Sequence, residues 1–229
     1  MKSIPLIEWG MYLIFEEGSF LVKTLTTSEE LEESFRLRHE VFCKELMWVP
    51  ESKDGCEMDF YDSFSERIGV FDPSGVLAGH ARLILSPNRF MVDKEFSALL
   101  PEGYIVRKGA DSAEVTRLCV RKDGRAPAES GNVSHLLYKG IYQWSLGNGI
   151  RHLIMVVEMR YYRLLRLNGF PVEAANRFVK MPDGVRAAVI TLDWRRFEEE
   201  AGRDKPVFLE WMSKISVPIQ ARSQWHAFY

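Results

Sequence analysis

The apolar positions of this chain change period along its length, and the changes mark out its elements. "SFLVKTL" (19–25) reads as a strand. "TTSEELEESFRLRHEVFCKEL" (26–46) spaces its apolar residues as a helix does, and Ser28 or a neighbouring threonine can cap it. "ERIGVFDPSGVLAGHARLIL" (66–85) is two apolar strands around Asp72-Pro73-Ser74-Gly75, a hairpin signal. Residues 86–113, with Pro87 and Pro101, read as an excursion with a short helix near 93–100. The remaining pattern is "AEVTRLCV" (113–120) as a strand, "SHLLYKGIYQWSLGNG" (134–149) as a helix stopped by its glycines, and "IRHLIMVVE" (150–158) as a buried strand. "MRYYRLLRLNG" (159–169) then predicts a helix ending at Gly169, and "RAAVITLDW" (186–194) a last strand. Residues 195–229 mix charges, prolines and aromatics and are expected as an extension packed on the same domain.

Composition narrows the classes without choosing among them. Hydrophobic residues make up 46% and charged residues 27% of the 229, so a well-buried core is available. A formal net charge of −2 argues against nucleic acid as the main partner. Cys43, Cys56 and Cys119 are widely spaced, and the five histidines are scattered, so neither a disulfide framework nor a metal site is expected. The apolar N-terminus is broken by Glu8, Glu16 and Glu17, which suits a helix or strand on the core, with a lipid-facing flap as the alternative. No run approaches the ~18 apolar residues of a membrane span, and a cytoplasmic location is expected.

Several polar residues stand where a core would be. Arg38 lies amid apolar residues in "FRLRHEVFCKELMW" (35–48), followed shortly by the acidic "GCEMDFYDSF" (55–64). Asp59 and Asp62, with Arg38 and Arg82, make two acids and two bases that could neutralise one another inside a cleft, since an unpaired buried charge is costly. That network could be structural, or could hold an acceptor's ammonium on the aspartates and its carboxylate on an arginine fork. Glu114 and Arg117 are three apart on a strand, so they point to opposite faces unless a bulge intervenes. Phe42 and Trp48 fit a core, with Trp48 the better ligand contact. Cys119, inside a strand, reads as a small hydrophobe.

The order of elements is that of a mixed α/β sheet, with a hairpin before two strand–helix units rather than a doubly wound pattern. "LRHEVF" with Trp48, then "DFYD", "GHARLI" and "EVTRLCV", in that order, resembles the acyl-homoserine-lactone synthases. It is equally similar to the long-chain N-acyl amino acid synthases, including the exosortase-linked acyltransferases. The resemblance implies a GNAT-like acyltransferase fold with splayed middle strands over residues 1–194, and transfer of a fatty acyl group from acyl carrier protein to an amine. It places Arg38, Phe42, Trp48, Asp59, Asp62, Arg82, Glu114 and Arg117 around the cleft, with Glu114 as the base that takes the amine's proton.

Ser65, three after Asp62, and the stretch 141–170 tilt the resemblance towards the amino acid synthases. The lactone branch, with S-adenosylmethionine as acceptor, stays open, as does a silent protein that only binds an acyl chain or its carrier. "RKDGRAP" (121–127) stands where acetyl-CoA-dependent relatives cradle pyrophosphate, and Pro127 breaks such a cradle. No cofactor is implied. Acyl carrier proteins are acidic, so Arg121, Lys122 and Arg125, with Arg151, Arg160, Arg163 and Arg166, are the expected docking residues.

Overall fold

A computed structural model describes residues 12–122, 133–181 and 183–215. The first hairpin pairs β1 (Ile14–Glu17) with β2 (Phe20–Thr24), and helix α1 (Ser28–Arg38) follows. Thr27 caps α1 through a reciprocal box with Glu30, each side chain accepting from the other's backbone N–H. Next come β3 (Ser65–Phe71), β4 (Leu77–Leu85), β5 (Ser112–Val120), α2 (Val133–Gly147), β6 (His152–Glu158) and α3 (Met159–Asn168). The chain continues through β7 (Glu173–Ala174), β8 (Val179–Lys180) and β9 (Arg186–Asp193) to α4 (Trp194–Asp204) and α5 (Pro206–Ser213). The expected short helix near 93–100 is two 3₁₀ turns, Met91–Asp93 and Ser97–Leu99. The segment after 194, expected only as an extension, forms α4 and α5, whose Phe197 and Met212 are fully buried.

The strands form one sheet in the order β1-β2-β3-β4-β5-β6-β9-β7, with β8 also on β9. Every pairing is antiparallel except β5 with β6. That parallel pairing covers only Ser112–Glu114 against His152–Ile154. Beyond it β5 stays on β4 as far as Val120, while β6 stays on β9 to Glu158, so the sheet opens as a V. These are the splayed middle strands expected of a GNAT-like fold. A bulge lies just past the vertex: Arg117 and Leu118 together face Ala81 between the pairs Arg82–Thr116 and His80–Cys119. A bulge adds local twist, which helps to turn β5 away from β6.

Two layers cover the sheet. On one face α2 packs so closely that a Cβ on Gly79 would come within 2.6 Å of Val133, and one on Gly140 within 2.9 Å of Val22. Around it lie Phe15, Ile68, Leu83, Leu137, Trp144 and Phe197, all at most 1% exposed. On the other face α1 covers Leu77, Phe71 and Cys119, and the 3₁₀ turns cover Ile84, Ile154 and Val189. Among the described residues no helix is long and apolar enough to cross a membrane.

Candidate active site

The α1 face of the sheet carries an unusual density of buried charge. Arg38 leaves the last turn of α1 fully buried, and beyond it the chain continues as a π-helix over His39–Glu45, which carries the buried Phe42. Arg38 Nε donates to Glu57 Oε2 at 2.6 Å, while its two Nη groups fork onto Asp62 at 2.6 and 3.1 Å. Arg82, also fully buried, reaches both Asp59 oxygens at 2.6 and 2.9 Å and Asp62 at 2.9 Å, and its Nε donates to Thr116 Oγ1 at 2.9 Å. Arg117 closes the circuit with bonds to both Glu57 oxygens and to Asp59 Oδ2 at 3.1 Å. Arg67 of β3 adds a contact to Asp62 at 3.3 Å.

Asp59 and Asp62 are brought together by a turn rather than by a helix face. Asp59 caps the 3₁₀ turn Phe60–Phe64, and Asp62 accepts back from the Asp59 N–H at 2.8 Å. Burial alone would raise the Asp62 carboxyl, but the bonds and charge of Arg38, with the charge of Arg82, hold it well below the usual carboxylate range. Four guanidiniums (Arg38, Arg67, Arg82, Arg117) face three carboxylates (Glu57, Asp59, Asp62), leaving one surplus positive charge. The network also has an outer edge: the Arg117 and Asp59 side chains are 15% and 21% exposed, against 0% for Arg38 and Arg82.

The bulge decides where Arg117 points. Glu114 and Thr116 share the α1 face with Arg82, and an unbroken strand would send residue 117 the other way. With the bulge, Arg117 (φ 50°) joins them, while Leu118 drops onto the α2 face beside Val115. An arginine in the left-handed region is uncommon and costs on the order of 1–3 kcal/mol, the kind of strain that clusters at functional sites.

Glu114 sits at the vertex of the V, paired in register with Ile154, and is fully buried. Its oxygens accept from the backbone N–H groups of Met91 and Val92. Burial pushes its carboxyl up to about 7, helped by the charge of Asp93 and opposed by the two N–H groups and Arg82. Met91 links this acid to the network, because its Sδ lies 3.1 Å from Arg82 Nη2 and 3.8 Å from Arg117 Nη1.

An aromatic shoulder flanks the outer edge. The Arg117 guanidinium lies 5.6 Å from the Phe42 ring centre, and Phe42 stacks on Trp48 at 6.2 Å. Phe42 is buried, whereas Trp48 is exposed, as are Met47 and the two neighbours of Asp59 in the chain, Met58 and Phe60. Through the V, on the α2 face, lies a small apolar cleft of about 30 Å³, walled by Val115 and Leu118 of β5, Leu153 and Met155 of β6, and Tyr138 and Tyr161 of α2 and α3.

The structure thus gathers Arg38, Phe42, Asp59, Asp62, Arg82 and Arg117 into one cluster, with Trp48 beside it and Glu114 one residue contact away. Sequence reasoning missed Glu57 and Arg67, both buried members of the network, and the Met91–Val92 backbone that holds Glu114. An arginine alternating with Ile68 and Val70 in β3 was the available signal for Arg67. Of the docking candidates, Arg121 donates to the Leu77 carbonyl and Arg151 is paired with Asp193. Lys122, Arg160, Arg163 and Arg166 are exposed, and Arg125 lies outside the described residues, as do Gly124 and Pro127.

Comparisons with known proteins identify the family and the fold. Residues 22–199 match the family model described as autoinducer synthase. An acyl-homoserine-lactone synthase of Rhizobium radiobacter is 30% identical over 163 residues, 69% of this chain and 76% of that protein. One from Aeromonas salmonicida is 31% identical over 62% of this chain and 69% of its own length. Among solved structures, the AHL synthase LasI superposes with a TM-score of 0.68 at 19% identity, covering 77% of this chain and 90% of its own. The CoA-dependent acyl-homoserine lactone synthase BjaI gives 0.67 at 20% identity over 84% and 90%, and the N-acyl amino acid synthase FeeM 0.56 at 16% over 79% and 93%. The lactone branch is therefore favoured over the amino acid branch to which Ser65 pointed; the Ser65 hydroxyl is spent on the Tyr61 carbonyl, where it closes the 3₁₀ turn. The chain belongs to the autoinducer synthase family, that of the acyl-homoserine-lactone synthases, and is an N-acyltransferase.

Proposed function

We propose that this enzyme is an acyl-homoserine-lactone synthase that acylates the amino group of S-adenosylmethionine and then closes the lactone. The observation that carries this reading is the outer edge of the network, where Arg117 and Asp59 meet solvent beside the exposed Trp48. An acceptor with an ammonium and a carboxylate suits an edge that offers a carboxylate and a guanidinium, and the surplus positive charge favours the acceptor's carboxylate. A flat, cationic remainder suits an aromatic shoulder.

In this mechanism Glu114 takes the amine's proton, directly or through one water. Each of its oxygens accepts one backbone N–H and keeps a second lone pair for that purpose. A carboxyl at about 7 is matched to proton transfer near neutral pH. The freed amine attacks the thioester carbonyl, backbone N–H groups on the opened strand edges hold the oxyanion, and the thiol leaves with a proton. The acceptor's carboxylate then attacks its own γ-carbon, expelling methylthioadenosine. The acyl chain runs along the opened edges of β5 and β6 towards the apolar cleft between them, which must widen from its present small volume to admit it. We assign acyl carrier protein as the donor: β5 and β6 run parallel, so Lys122 and Arg160, just past their C-terminal ends, flank the open mouth of the V.

Mass spectrometry of purified enzyme supplied with acyl carrier protein thioester and S-adenosylmethionine tests this. An acyl-homoserine lactone released with equimolar methylthioadenosine supports it. An open-chain N-acyl amino acid formed without methylthioadenosine returns the assignment to the amino acid synthases, and acyl-CoA used in preference to the carrier overturns the donor.

A further inference from the structure

The bulge that turns Arg117 onto the network has a partner in the facing strand. His80 of β4 is fully buried and pairs in register with Cys119. Its Nδ1 lies 3.0 Å from the carbonyl oxygen of Arg117, the residue with the left-handed backbone. A carbonyl only accepts, so Nδ1 carries the hydrogen. Nε2 then holds the lone pair, and it has no partner among the described residues. Complete burial, and the nearby charges of Arg38, Arg67 and Arg82, oppose a second proton and keep the ring neutral.

We infer that His80 is a positioning residue for the acceptor site: its Nδ1–H anchors the Arg117 carbonyl and so fixes the bulge that presents the Arg117 guanidinium to Glu57 and Asp59. The register supplies the reason. A strand without the bulge would carry residue 117 to the α2 face, into the cleft now lined by Leu118, and Glu57 would lose three of its contacts. The positive φ must be held by something specific, because an L residue there reverts to extended backbone when released. His80 is placed to hold it and touches none of the reacting groups assigned above. The alternative is a histidine that merely fills the space beneath α1.

The inference rests on the acceptor reading of the network, and the test separates the two. Nitrogen-15 NMR of the wild-type chain, without substrate, reads the His80 tautomer; a ring protonated at Nε2 rather than Nδ1 overturns the proposal outright. His80→Leu removes the donor at similar volume, and His80→Asn keeps a side-chain N–H at the place of Nδ1. In His80→Leu the Arg117 Nε–H resonance (assigned by its loss in Arg117→Lys) is expected to shift, and the KM for S-adenosylmethionine to rise by about tenfold, the scale of one lost hydrogen bond to a positioned group. The kcat at saturation and the donor KM should change little. His80→Asn should restore both the resonance and the acceptor KM. A resonance unmoved in folded His80→Leu, or a KM unchanged while the melting temperature alone falls, makes His80 a packing residue. If the resonance moves and returns as stated but S-adenosylmethionine is not bound by any form, His80 still positions Arg117 and the acceptor assignment is what fails.

Discussion

The two faces of β5 do opposite things with the same nine residues. On the α1 face Glu114, Thr116 and Arg117 meet buried charge that is paired at nearly every point, down to an acid with two dedicated backbone donors. On the α2 face Val115 and Leu118 meet an apolar cleft. An alternating strand supplies this division at no extra cost until residue 117, where the bulge must intervene to keep the polar set together. The difference teaches what each face can tolerate. Charge is geometrically unforgiving, because a removed partner leaves an uncompensated ion in a low-dielectric site. The apolar cleft is tolerant, since altered volume costs only packing. Substitutions on the two faces should therefore differ in size and in kind.

The largest effect is expected on the polar face at the vertex. Glu114→Gln should lower turnover by roughly the 10²–10⁴-fold of a lost general base, and less than a tenfold loss would remove Glu114 from that role. Its pH profile sharpens the test: kcat/KM should rise as pH passes through about 7, the range in which the wild-type carboxyl ionises. Stability runs the other way. The folded carboxyl holds its proton more tightly than the unfolded one, so its contribution is fully present below the ordinary glutamate range and is lost as pH rises to about 7. That window is worth on the order of 3 kcal/mol, the scale of a carboxyl raised from the ordinary glutamate range to about 7. Glu114→Gln should not show this loss in denaturation measured at pH 5 and pH 8.

Next in size are Asp62→Ala and Arg38→Ala, each expected to destabilise by about 3–5 kcal/mol, the first through the guanidinium charge left behind and the second through the three buried hydrogen bonds that Glu57 and Asp62 lose. Asp62 adds a pH signature. Its depressed carboxyl stabilises the fold above the ordinary aspartate range, and that stability is lost as pH falls below it, so acid denaturation should flatten in Asp62→Asn. A melting temperature within a degree or two of wild type for Arg38→Ala would break the comparison between the faces. A rise in the acceptor KM of the folded protein would add a binding role to the structural one.

Smaller changes are expected at the mouth of the V. Reversing Lys122, Arg160 and Arg163 to glutamate should lower activity with carrier-bound donor by about tenfold at low salt and less at high salt. A small acyl-pantetheine donor should be nearly unaffected, and equal loss with both donors would show that the surface does not dock a carrier. The smallest effect belongs to the apolar face. Leu118→Ala should cost on the order of 2 kcal/mol or less at its partly buried position and shift preference towards longer acyl chains by a few-fold, with acceptor KM unchanged. A changed acceptor KM there would mean that the bulge had moved.

Much of this was legible in the chain itself. The order of strands and helices follows from periodicity and from turn residues such as Asp72–Gly75 and Gly169, because these encode local backbone preferences. The superfamily follows from short motifs in a fixed order, and a buried charge network from acids and arginines standing among apolar neighbours. The branch was not legible: of the two features that suggested one, Ser65 and the stretch 141–170, the first is used locally in a turn. Nor was the 3₁₀ geometry that makes Asp59 a cap, or the helices after residue 194, whose stability comes from packing on α2 rather than from their own pattern. Whether Glu114 and Arg117 share a face depended on one extra residue in β5, a choice made by β4 and its His80 from 37 residues away. Alternation is written into the sequence at a period of two. The place where it breaks is fixed only when the facing strand, the buried carboxylates and the backbone N–H groups of Met91 and Val92 are assembled around it.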